Sequence, residues 1–121
     1  MANPNIVDVT SIYGKTVQAA LDTTLTTEIL LCASDKVLKI NTILIANIDG
    51  TNAADASVFI TKSGGSPIAI ASTISVPADA TLNLIDKNSS FYLEEGDNIE
   101  AGASADNDLT ITISYEEIDD A

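Results

Sequence analysis

Between Lys36 and Gly50 the chain reads Lys-Val-Leu-Lys-Ile-Asn-Thr-Ile-Leu-Ile-Ala-Asn-Ile-Asp-Gly. Side chains alternate along a strand, so one register collects Leu38, Ile40, Thr42, Leu44, Ala46 and Ile48, and the other Val37, Lys39, Asn41, Ile43, Ile45 and Asn47. The first register is apolar almost throughout and predicts a core face. The second is polar at its ends but carries Ile43 and Ile45 in its middle, which predicts a strand covered on both faces over part of its length. A monomeric sandwich would leave that pair partly in water, so Ile43 and Ile45 are expected at an interface between copies of the chain.

The same period of two recurs along the chain. Ile68, Ile70, Ile74 and Val76 alternate with Ala69, Ala71, Thr73 and Ser75 and predict a half-buried strand that begins after Pro67 and ends at Pro77. The cleanest alternation is the last, with Leu109, Ile111, Ile113 and Tyr115 inward and Thr110, Thr112, Ser114 and Glu116 outward. Further strands are predicted over 11–19, 28–33, 56–62, 80–86, 91–93 and 99–103. Turn chemistry at Ser34-Asp35, Asp49-Gly50, Gly64-Gly65-Ser66 and Asp106-Asn107-Asp108 separates them. No stretch has helical periodicity and no fixed repeat divides the chain. About eight strands with turns roughly every eight to twelve residues predict an all-β fold, a single antiparallel β-sandwich of jelly-roll type spanning residues 1–121. The segment 1–10 reads in two ways. It is a weak first strand or an extended arm, because Asn3, Pro4 and Asn5 disfavour regular structure while Ile6, Val7 and Val9 can add to an exposed sheet edge.

Charge narrows the function. Eighteen acidic residues face five lysines, with no arginine and no histidine, for a formal net charge of −13. Such a surface repels phosphate and an anionic membrane, so neither nucleic acid nor membrane is an expected partner. Cys32, the single cysteine, sits among Ile29, Leu30 and Leu31 and is expected to be buried and inert. The N-terminus lacks the basic flank and apolar run of a signal peptide, which predicts synthesis in a cytosol-like compartment. Without histidine there is no common general base near neutral pH and no Ser-His or Cys-His pair. Glu94-Glu95 and Glu116-Glu117 are adjacent strand or turn residues that point to opposite faces, not a carboxylate pair across a sugar. The loops 49–55 and 106–108 offer oxygen ligands but lack the spaced acids of an EF-hand. Gly64-Gly65-Ser66 joins two strands rather than opening a helix as a phosphate loop does. The chain is expected to bind rather than to catalyse, with no cofactor and no dedicated metal.

The series Ile12-Tyr13-Gly14-Lys15-Thr16, Ala46-Asn47-Ile48-Asp49-Gly50-Thr51, Val76-Pro77-Ala78-Asp79-Ala80-Thr81-Leu82, Ile85-Asp86-Lys87-Asn88-Ser89, Tyr92-Leu93-Glu94-Glu95-Gly96-Asp97 and Ile113-Ser114-Tyr115-Glu116-Glu117-Ile118 resembles the small virion structural proteins of marine and cyanobacterial tailed phages. The resemblance covers nearly the whole chain and rests on the order of these segments. It implies a capsid decoration or cement protein on the capsid exterior, made in the host cytoplasm, with the major capsid protein as partner. It also implies a homo-oligomer, a trimer by analogy with decoration proteins at capsid three-fold positions. Asn5, Ile6, Val7 and Val9 would then form an arm contacting the capsid. A neck, tail or fibre component and a small carbohydrate-binding module are the alternatives.

Overall fold

The computed structural model describes residues 10–119. Among them are nine strands: β1 (Ser11–Ala20), β2 (Thr27–Leu31), β3 (Lys36–Asn47), β4 (Ala54–Thr61), β5 (Ile68–Val76), β6 (Thr81–Ile85), β7 (Phe91–Leu93), β8 (Asn98–Ala103) and β9 (Leu109–Asp119). Their pairing is nested and antiparallel. The β4–β5 hairpin is innermost, β3 pairs with β6 and β7 outside it, β2 with β8, and β1 with β9. The chain is thus one long hairpin, and rolling it up brings β9 against β3 and β8 against β4. Two sheets result, which we call A (β1-β9-β3-β6, with β7 also on β3) and B (β2-β8-β4-β5). The antiparallel β-sandwich of jelly-roll type expected from the alternating strands is the fold observed, while its strand pairing is seen only in the structure.

The core lies between the sheets, where Ile40, Ile43, Ile45, Ile111 and Ile113 of A meet Val58, Ile99, Ala101 and Ala103 of B. Inward and outward residues of β8 and β9 fall as the alternation predicts. The central strand β3 does not, because its register shifts by one residue part-way along. Ile40 lies opposite Tyr115 and Thr42 opposite Ser114, so Asn41 is an extra residue without an opposite number, a β-bulge. A one-residue slip sends every later side chain to the other face. Leu38 and Ile40 point inward before the bulge, and Ile43 and Ile45 after it, while Ile48 ends 63% exposed. Ile43 and Ile45 are 0% exposed within one chain, so they belong to its own core and offer no surface to a second copy.

Strand β5 departs from its pattern for the same reason. Shifts in its pairing with β4 leave Ile70 as an extra residue and set the pair Ser72-Thr73 opposite the single Ser57, and Thr73 adopts φ +47°. Ala71 and Val76 reach the core, whereas Ile68 is 69% exposed. Two close approaches fix the loops. A Cβ on Gly102 would stand 2.4 Å from the Cα of Leu25, so the segment 22–26 lies directly on the outer surface of sheet B. Gly96 has φ +85°, and a Cβ there would meet Ser63 Oγ at 2.7 Å, which locks the β7–β8 turn to the β4–β5 turn.

Candidate interaction face

Residues paired across strands share a face of the sheet. Ile113 and Ile43 face the core with Val17, and Ile111 and Ile45 with Ala19, so the intervening rows face away from it. Those outward rows are Thr16–Ser114–Thr42, Gln18–Thr112–Leu44 and Ala20–Thr110–Ala46, continued onto β6 by Asn83 beside Leu44 and Thr81 beside Ala46. Every one of these side chains is uncharged. Gln18 Nε2 donates to Thr112 Oγ1 at 3.1 Å, and Gln18, Ala20, Thr110 and Thr112 border a shallow hollow of about 310 Å³. Charge begins at the next row, where Lys39 lies opposite Glu116, and Asn41 at the bulge donates its amide to Glu116 Oε2 at 3.0 Å. Beyond that, Ile12, Ile118 and Val37 form an apolar row.

The outer surface of sheet B is different in kind. Glu28 lies opposite Glu100, Asp55 opposite Ser75, and the segment 22–26 crosses the middle. Glu100 accepts from Thr61 Oγ1 at 2.6 Å and Glu28 from Asn98 Nδ2 at 2.9 Å. Among the described residues, most other carboxylates stand in the segments between strands. The acidic protein therefore presents one broad uncharged face, made of hydroxyl, amide and small apolar groups.

The remaining polar clusters serve the fold. Asp97, 2% exposed, accepts from the backbone amides of Ser63 and Glu94 at 2.9 Å each and from Lys62 Nζ at 2.5 Å. Burial pushes its pKa up, but the Lys62 ammonium and the two amides outweigh burial and hold it below the ordinary carboxylate value. Lys62 is correspondingly raised by Asp97 and then by Glu94. Asn47, 4% exposed, donates to the carbonyls of Asn52 and Val76 and accepts from Asp49 N, tying the end of β3 to the entry of β4 and the exit of β5. Asp49 is lowered by the Thr51 amide it accepts from, an internal turn contact within the loop read above as a source of oxygen ligands. Among the described residues no group of three or more acidic or cysteine side chains is placed to share a metal ion. Burial pushes the Cys32 thiol up to about 11, and its S–H donates to the Lys36 carbonyl at 3.2 Å, so it is protonated at neutral pH.

Of the residues singled out in the sequence, Ile43 and Ile45 are core, and Asn5, Ile6, Val7 and Val9 lie outside the described residues. The uncharged face was only partly visible in the sequence. Thr110, Thr112 and Ser114 read as outward, but joining them to Thr16, Gln18, Thr42 and Leu44 requires the pairing of β1 and β3 on either side of β9, and on β3 it requires the bulge.

No protein-family model and no curated protein matches the chain. Among solved structures, the chain is similar to one from Bacillus endospore appendages, described as forming a novel family of disulfide-linked pili. The TM-score is 0.50 at 11% identity, over 92% of this chain and 88% of that one. At that identity the likeness is one of fold.

Proposed function

We propose that this chain is a non-enzymatic structural subunit that attaches to a larger protein assembly through the outer face of sheet A. In light of the sequence resemblance, that assembly is a phage capsid and the chain a decoration protein on its exterior. The observation that carries the reading is the concentration of uncharged hydroxyl and amide groups on one sheet face of a molecule with net charge −13. Hundreds of such copies crowded on a shell would repel one another through any charged contact, so attachment by an uncharged face with carboxylates toward solvent is the arrangement of least cost. The test is retention on purified capsids. Wild type is expected to bind in hundreds of copies and to stay bound, or bind better, as salt rises, while Thr112→Asp keeps its fold and loses retention. Retention that falls steeply with salt, or a Thr112→Asp variant bound as well as wild type, overturns the proposal.

A second reading is a fibre or pilus subunit, favoured by the open edge strand β1 and by the likeness in fold to the endospore appendage chain. Disulfide linkage of the kind named for those pili has no ready counterpart, because the single Cys32 is 1% exposed. Filaments formed by the purified protein, seen by negative-stain microscopy, would favour this reading over the first.

A further inference from the structure

The rolled hairpin leaves two flanks where sheet edges are open. One is formed by β1 and β2, the edge strands of A and B on that side, and the other by β5 and by β6, with the short β7 beyond β6 along β3. Unpaired edges are templates for further strands, and proteins guard them with charges, prolines and bulges. The first flank is guarded by charge, since β1 carries Lys15, paired with Glu117 at 2.7 Å, and β2 carries Glu28. The second is not. From Ser63 to Ile85 the sole ionisable side chain is Asp79, at the turn between β5 and β6, and within this stretch Ile68 and Ile70 stand 69% and 37% exposed.

We infer that the β5/β6 flank is a contact between two copies of this chain, related by a two-fold axis that sets the flank against itself. The choice of occupant follows from charge. A basic partner would be drawn to the carboxylate-rich loops and faces, whereas this flank, apart from the outer face of sheet A, is where a strongly acidic molecule can be approached without bringing like charges together. A second copy is such a molecule, and a flank set against itself keeps every carboxylate of the two flanks but Asp79, at the end turn, out of the contact. A head-to-tail contact with the β1/β2 flank would instead press Glu28 and the Lys15–Glu117 pair against an uncharged surface and desolvate them without new partners. The two bulges on β5 divide its free backbone into short runs. Open-ended strand addition is thereby blocked, while Ile68, Ile70 and the neighbouring backbone remain free to meet their equivalents in a closed dimer. This contact is separate from the outer face of sheet A and does not rest on the reading given to that face.

Analytical ultracentrifugation from micromolar to roughly millimolar protein tests it, together with hydrogen exchange at both extremes of concentration. The expected result is a monomer–dimer equilibrium with concentration-dependent protection confined to residues 66–76 and 81–85. Ile68→Lys and Ser72→Lys, both at exposed positions and each checked for an unchanged thermal midpoint, should weaken the dimer at least roughly tenfold, and Thr112→Asp on the sheet A face should leave it unchanged. A wild type that stays monomeric, a trimer, protection falling on 11–20 instead, or either folded lysine variant dimerising like wild type overturns the inference. Ser72→Lys, outside the apolar pair, decides the matter should Ile68→Lys fail to fold.

Discussion

At the scale of single residues, burial and polarity act through alternation. Ile111 is 0% exposed between β1 and β3, and its neighbour Thr112 faces out. Ile111→Asp places a carboxylate with no partner in the core and should cost several kcal/mol, a large part of the ~5–15 kcal/mol that a domain has, whereas Thr112→Asp should shift stability by less than about 1 kcal/mol. Urea midpoints of the two variants measure the difference, and equal midpoints would contradict the register of β9. Asp97 gives a second contrast. As Asn it would lose its charge and turn an amide donor toward donors, costing about 2–4 kcal/mol, while Lys62→Met removes a partner that is itself 54% exposed and should cost about 1 kcal/mol. The pH dependence follows from the direction of the Asp97 shift. Its pKa in the folded state lies below the unfolded value of 3.8, so its contribution is fully present above that value and is lost as pH falls through the lower, folded value. Acid titration of wild type beside Asp97→Asn should show that part of the acid limb vanish in the variant.

At the scale of elements, the strands and their turns were legible because alternation and Gly, Pro, Asp and Asn punctuation are local signals. The bulges were not. Asn41 resembles any other polar residue in an alternating run, and only the pairing of Ile40 with Tyr115 and Thr42 with Ser114 shows it to be supernumerary. The consequence is large, since the bulge puts Ile43 and Ile45 in the core rather than at an interface and Thr42, Leu44 and Ala46 on the outer face. Close approaches are equally silent in sequence. Gly102 reads as a weak strand residue, yet it is where the segment 22–26 lies on sheet B, its Thr24 carbonyl 2.6 Å from where a Cβ would be. The obstructing atoms are backbone and cannot rotate aside. Gly102→Ala should therefore lift that segment or destabilise the domain by about 1–3 kcal/mol, and limited proteolysis cutting faster within 22–26 than in wild type would report it.

For the molecule as a whole, net charge rather than contacts sets how stability responds to solution conditions. Lys15, Lys36 and Lys62 are each within 2.8 Å of a carboxylate, so three of five lysines are already committed locally, and the excess acid has no internal counterweight. Those pairs are exposed or only half-buried, so water and salt screen them and each contributes little. The repulsion among the remaining carboxylates is long-ranged and opposes the compact state. Salt acts on both, but unequally. Screening over about 8 Å at physiological ionic strength leaves pairs in direct contact largely intact while cutting the repulsion between carboxylates farther apart. Raising sodium chloride from about 10 to 200 mM should accordingly increase the thermal midpoint by a few degrees and strengthen self-association through the uncharged β5/β6 flank. A molecule held together chiefly by its ion pairs would do the opposite. A midpoint that falls over this range would show that the lysine–carboxylate contacts, and not the repulsion among the excess carboxylates, dominate the electrostatic balance.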